Sequence, residues 1–182
     1  MIVSIDIGEK NFAYSISNFE NDVLKIIDIQ HHNVVATRLV KDQNINISCQ
    51  NITDILNSDP NISLCSTVLI EEQFQGKRGT SSNNRAIRIS HHIWAYFQVK
   101  HNPSILRFIK SSLKTQYFLG KNKLTQSQRK KWAVDMIIGN NSRLLQSIHA
   151  IDHSKLIEKI KNYKKKDDIC DSILQMLAYF EC

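Results

Sequence analysis

Residues 2–11 read IVSIDIGEKN and place an acid within an apolar strand. Val3, Ile5 and Ile7 alternate with Ser4, Asp6 and Gly8, the period of two that marks a strand with one face against a core. On its own, Asp6 reads as a strand-end residue whose carboxylate meets solvent where Gly8 begins a turn. A carboxylate held deeper is costly to desolvate unless it meets a partner charge or a metal ion. The acids elsewhere in the chain decide between these readings.

The chain has 182 residues, enough for one domain over 1–182 with a single sizeable core. A hydrophobic content of 42% excludes wholesale disorder. No apolar run approaches the roughly 20 residues of a membrane span, so no membrane partner is expected. The N-terminus leads into a strand without a basic n-region or a small-residue cleavage site, which points to an intracellular, cytoplasmic protein. Cys49, Cys65, Cys170 and Cys182 form no CxxC pair, against both a disulfide framework and a zinc ribbon. The net charge of +7 fits a polyanionic partner. Between Arg107 and Lys131 every charged residue is basic, and a second basic cluster lies at Lys159, Lys161 and Lys164–Lys166. Such runs are ordinarily solvated helix faces, but a single-sign stretch of that length favours nucleic acid.

Strands are expected at 2–7, 11–17, 22–29, 66–73 and 104–109. Helices are expected at 44–57, 85–100, 126–138, 153–163 and 167–180. A polar loop, FQGKRGTSSNNR, follows the fourth strand, and the basic stretch after the fifth contains Gly120 and is expected to be mobile. Three antiparallel strands followed by strands alternating with helices predict an α/β chain, a five-stranded mixed sheet flanked by helices.

Two further segments carry acids at element ends. In VLIEEQF, Glu71 and Glu72 close an apolar strand and, being adjacent, point to opposite faces, so only one can share a site with Asp6. In KKKDDICDSILQMLAYF, Asp168 and Asp171 are i, i+3 neighbours on one helix face, apart from the core stripe of Ile169, Ile173, Met176, Leu177 and Phe180. Asp167 and Asp168 are also suited to the positive end of a helix, which explains Asp171 less well. Strands 1 and 4 can neighbour one another in a mixed sheet, with the last helix across their ends. Carboxylates gathered there repel unless divalent cations lie between them. Mg²⁺ favours oxygen ligands, and two such ions can activate water against a phosphodiester.

SIDIGEKN, VLIEEQF, QRKKWAVD and DDICDS, in this order and over nearly the whole chain, resemble the RuvC-type Holliday junction resolvases, most closely their poxvirus branch. The resemblance implies a ribonuclease H-like fold and a homodimer that nicks four-way DNA junctions symmetrically, in the host cytoplasm or virion. It also implies dependence on Mg²⁺ or Mn²⁺, two ions per site, with no small-molecule cofactor. Asp6, Glu71, Asp168 and Asp171 take the metal-ligand positions of the pattern, and Lys131 best matches its catalytic lysine, with Lys130 one residue away. Lys77, Arg78, Arg85, Arg88, Lys114, Lys121 and Lys130 are the expected DNA contacts. The helix over 85–100, with Ile87, Ile89, Ile93, Trp94 and Phe97, is either the dimer helix of this pattern or an ordinary core helix. Two features depart from the poxvirus branch: a longer segment between the lysine and the D-x-x-D pair, and a loop after strand 4 closer to cellular or mitochondrial relatives.

Three other readings remain in view. An actin-like ATPase opens with a similar strand and turn, but five glycines and no GxGxxG or GxxxxGK leave nothing to cradle a nucleotide. A junction-binding module without turnover shares the fold and charge. A ribonuclease H-type nuclease for another branched or hybrid nucleic acid shares the acids as well. The histidines, including His31, His32, His91 and His92, read as surface or core residues, and His149 with His153 lacks the further ligands zinc requires.

Overall fold

The alternation in residues 2–7 is realised in a computed structural model that describes residues 1–8, 10–21, 23–35, 41–73, 81–120, 124–139, 148–150 and 153–181. Strand β1 (Ile2–Ile7) pairs antiparallel with β2 (Asn11–Glu20), which returns antiparallel into β3 (Val23–Asn33). On its other side β1 pairs parallel with β4 (Thr67–Glu72), and β4 with β5 (Ile105–Lys110). All five expected strands are present. A three-residue sixth strand, β6 (Ile148–Ala150), adds parallel to β3 and gives the order β5-β4-β1-β2-β3-β6. Three residues are too few to show an alternation, so the sequence carries no signal for β6.

The helices are α1 (Lys41–Ser58), α2 (Ser81–Lys100), α3 (Leu113–Leu119), α4 (Gln126–Ile138), α5 (His153–Asn162) and α6 (Lys166–Glu181). Helix α3 corrects one expectation, since the basic stretch after β5 is helical there and carries Lys114 into the interior. Gly120 ends α3 at φ 60, a conformation costly for any residue with a Cβ, and its N–H caps the Gln116 carbonyl at 3.0 Å. Helix α4 begins with a capping box in which Thr125 and Gln128 satisfy one another's backbone N–H groups. No helix among the described residues is long and apolar enough to cross a membrane.

Alternation sorts the sheet into two faces. Val3, Ile5, Ile7, Phe12, Tyr14, Ile16, Val68 and Ile70 bury against α1 and α2, whose Ile52, Leu56, Ile89, Ile93 and Phe97 complete that layer. Three of the five apolar residues considered for a dimer helix are therefore core. Ile87 is only partly buried, as is Trp94, which stacks on Phe108 at 4.7 Å. The opposite face, with Ile2, Ala13, Leu24, Ile26, Ile29, Leu69 and Ile109, packs on α4, α5 and α6.

Small residues let α6 sit close to this second face and fix its register. Ser4, Ser15 and Ser17 are fully buried there. Gln175 donates to Ser4 Oγ at 3.1 Å, and Ser172 donates to Ser15 Oγ at 3.0 Å. Four helical residues rise about 6 Å and two strand residues about 6.6 Å, so the spacings match. The Gln175–Ser4 bond thus carries Asp171, one turn earlier, towards Asp6, and the Ser172–Ser15 bond carries Asp168 towards Ala13. Gln175→Leu keeps the volume but leaves the Ser4 hydroxyl without this donor. It is expected to cost about 1–3 kcal/mol, read as a lower urea midpoint at unchanged m-value.

Candidate active site

The acids gather where β1 and β4 end. Ile5 lies opposite Ile70, so Asp6 and Glu71 follow as the next residues of the two strands. Asp6 is opposite Ala13, Ala13 opposite His31, and Glu71 opposite Ile109. One transverse row across five strands therefore reads Ile109, Glu71, Asp6, Ala13, His31, on the face that α6 covers.

Above this row stands Lys114, a lysine only 8% exposed. Its Nζ lies 3.0 Å from Asp171 Oδ1 and 3.4 Å from Glu71 Oε1. Burial alone acts to neutralise it, but Glu71, Asp171 and Asp6 together hold its ammonium well above the ordinary lysine range. Burial and the neighbouring Glu71 push the Asp6 carboxyl well above the ordinary carboxylate range. Burial also acts to raise Glu71, yet the Lys114 ammonium and hydrogen bonds from Asp6, Lys114 and Gln73 hold it below its ordinary value. Asp171 is raised by burial, against the pull of Lys114.

Asp168, one turn before Ser172, is engaged by His31, whose Nε2 lies 3.3 Å from Asp168 Oδ2. Burial and the adjacent Asp167 raise its carboxyl. Asp167 itself pairs with Lys130 at 2.5 Å, an α4 side chain that thereby ties α4 to the start of α6. Glu71, Lys114, Asp171, Arg129, Lys130 and Trp132 are among the residues lining a cavity of about 130 Å³. Its walls set two carboxylates against three cations, a composition suited to a phosphate group beside a metal.

The expected site residues separate as follows. Asp6, Glu71 and Asp171 come together, and Asp168 flanks them on the His31 side. Lys114, expected as a DNA contact, stands inside the acid group instead. Lys131 is exposed on α4 and does not line the cavity, whereas Lys130 does. Glu72 is exposed and lines a different cavity of about 720 Å³, with residues of α2 and β5. Arg85 and Arg88 lie in the first half of α2, on the other face of the sheet but towards the end where β4 delivers Glu71. Lys77, Arg78 and Lys121 lie outside the described residues.

His31, expected to be a surface or core residue, instead joins the acid row. A register shift between Ile16 and Ser17 is the reason. In the hairpin near its turn, Phe19 faces Leu24; continued without the shift, that pairing sets Gln30 opposite Ala13, with His31 on the far face. The bulge moves His31 into the acid row, and no residue pattern in β2 or β3 announces it.

Among the described residues, no three His, Cys, Asp or Glu side chains chelate a common point as placed. The donor set nevertheless suits a hard divalent ion: it is all oxygen on three converging elements, and the Lys114 ammonium supplies a positive charge at their centre.

Residues 1–181 match the family described as Poxvirus A22 protein. No curated protein matches the chain significantly. Among solved structures, the Fowlpox virus resolvase in complex with its Holliday junction DNA is 24% identical, with a TM-score of 0.61 over 99% of this chain and 96% of that one. The yeast mitochondrial Holliday junction resolvase Ydc2 is 18% identical, with a TM-score of 0.66 over 98% and 78%. Thermus thermophilus RuvC is 12% identical, with a TM-score of 0.55 over 99% and 95%. The fold is accordingly the ribonuclease H-like fold of the RuvC-type resolvases.

Proposed function

The chain belongs to the Poxvirus A22 protein family of Holliday junction resolvases, and we propose that it is a metal-dependent endonuclease that cuts four-way DNA junctions by paired, symmetric nicks. The observation that carries this reading is the meeting of Asp6, Glu71 and Asp171, from three separate segments, around one buried ammonium beside a cation-lined cavity.

Asp6, Glu71 and Asp171, with Asp168 beside them, are the residues that would hold two Mg²⁺ or Mn²⁺ ions. When bound, such ions supply a more acidic water and neutralise charge on a phosphodiester. The chain's own part is positional. Asp6 and Glu71 are fixed by strand pairing, and Asp171 by the register of α6. Arg129 and Lys130 hold the scissile phosphate at the cavity wall, and Lys114 offsets negative charge that develops on it. Water adds to phosphorus as the bond to the 3′ oxygen breaks, leaving a 5′ phosphate and a 3′ hydroxyl. The roughly two-fold junction calls for an isologous dimer presenting two sites to opposing strands. Arg85 and Arg88, in the first half of α2, would contact backbone phosphates, which position without reading sequence.

The test is cleavage of a labelled mobile four-way junction in Mg²⁺ or Mn²⁺, beside linear duplex and RNA–DNA hybrid. Paired nicks confined to the junction, and lost in EDTA, are the expected outcome. Binding without cutting would make the chain a junction-binding module, and equal cutting of linear duplex would make it a general nuclease.

A further inference from the structure

The acid row does not stop at Asp6. One strand beyond the small Ala13 it reaches His31, whose side chain is 12% exposed and bonded to Asp168. We propose that His31 is a positioning residue of the same site: it donates from Nε2 to Asp168 Oδ2 and holds that carboxylate in place above Ala13 for the metal. The inference rests on reading this site as a divalent-metal centre.

Four observations support the role. The register shift between β2 and β3, in which Ile27 is the extra residue of β3, turns His31 to the α6 face, away from the α1–α2 face. The ring is braced rather than loose: Tyr163 lies against it at 6.1 Å and 56°, and the Tyr163 hydroxyl donates to the Ile29 carbonyl at 3.4 Å. Lys130 of α4 pairs with Asp167 at 2.5 Å, while the side chain bonded to Asp168 is His31. Ala13 separates His31 from Asp6 by a single methyl, so the row leaves room for α6 to lay Asp168 between them. A carboxylate at the first turn of a helix is stabilised by the helix end without being aimed by it. The imidazole supplies the aim, engaging one oxygen and leaving the other for an ion. Outer-shell hydrogen bonds of this kind orient the ligands of metal sites.

The experiment measures Mn²⁺ binding to the full chain without DNA, by the resonance signal of free Mn²⁺. His31→Ala is expected to weaken binding by about 10–100-fold. His31→Gln, whose amide nitrogen falls near the position of Nε2, is expected to restore most of it, and His31→Asn, which is too short to reach, is not. In an Asp168→Asn background His31→Ala is expected to add less than about a twofold change, because the partner it serves is gone. If Ala at this buried position unfolds the chain, the contrast between Gln and Asn, both checked by thermal melting, decides the matter. Affinity unchanged in His31→Ala, or equal for Gln and Asn, would overturn the role of His31 alone. Absence of Mn²⁺ binding by the unaltered chain would overturn the metal reading and this inference with it.

Discussion

Asp6→Asn is expected to lose junction nicking by more than about 100-fold, beyond the range for removing an outer-shell partner of a metal site, while junction binding stays within about threefold. Asp6 is the acid between Glu71 and the C-terminal helix, and the row gives it no substitute. Asn keeps its shape and its capacity to donate to Glu71, so the fold stays intact while the ability to become a carboxylate is removed. The pH dependence follows. In the metal-free protein burial and Glu71 hold the Asp6 carboxyl above the value it has in the unfolded chain. Its contribution to stability is therefore full below the ordinary carboxylate value of about 4 and falls as pH rises towards the raised value. Asp171 and Asp168 act in the same direction, and Glu71, held low, acts in the opposite one. An ion requires the deprotonated form, so its binding releases protons and tightens as pH rises. Calorimetry of Mn²⁺ binding in buffers of different ionisation enthalpy should show that release in the unaltered protein and a smaller one in Asp6→Asn. A variant that still nicks within tenfold of the unaltered rate removes Asp6 from the chemistry.

How far the sequence disclosed this site depends on which interaction places each residue. Asp6 and Glu71 were legible because each closes an apolar strand and parallel pairing of β1 with β4 needs only their lengths to agree. Asp168 and Asp171 were legible as one helix face, but their separation was not: Asp171 faces Lys114 and Asp168 faces His31, a difference set by where α6 lands on Ser4 and Ser15. Lys114 is expected to be a DNA contact because a lysine in a basic run gives no sign of burial. Only its neighbours across the fold, Glu71 and Asp171, make the burial tolerable. The family pattern favours Lys131 over Lys130, and adjacent helical residues diverge by about 100°, which is enough to put one of these two exposed lysines on the cavity wall and the other off it. The position of His31 hung on one bulge.

Lys114→Met is expected to destabilise the metal-free protein by about 3–5 kcal/mol at neutral pH, and divalent ions are expected to return much of that loss. Met preserves the length and volume of the buried side chain and removes only its charge. The ammonium lies within 3.4 Å of Glu71 and 3.0 Å of Asp171, and its loss leaves partly buried carboxylates facing one another with no cation between them. Glu71 shows the sign. Held low chiefly by Lys114 against burial, it contributes stability that is present above its ordinary value and is lost as pH falls through the lowered one. The gap between the two proteins should therefore be widest near neutral pH and close only as pH falls through the lowered value of Glu71, below which its carboxylate is protonated in both. Ammonium and metal ion are drawn by the same oxygens, so the variant should bind Mn²⁺ more tightly than the unaltered chain. At a free concentration of 100 times its Kd, the ion adds about 2.7 kcal/mol, which restores most of the fold. It does not restore nicking, because Lys114 also lines the cavity where the phosphate is to be held. Urea unfolding with and without Mn²⁺, read beside junction cleavage, separates the two effects. Equal stability of variant and unaltered protein in EDTA would mean that Lys114 is not the charge holding these acids together.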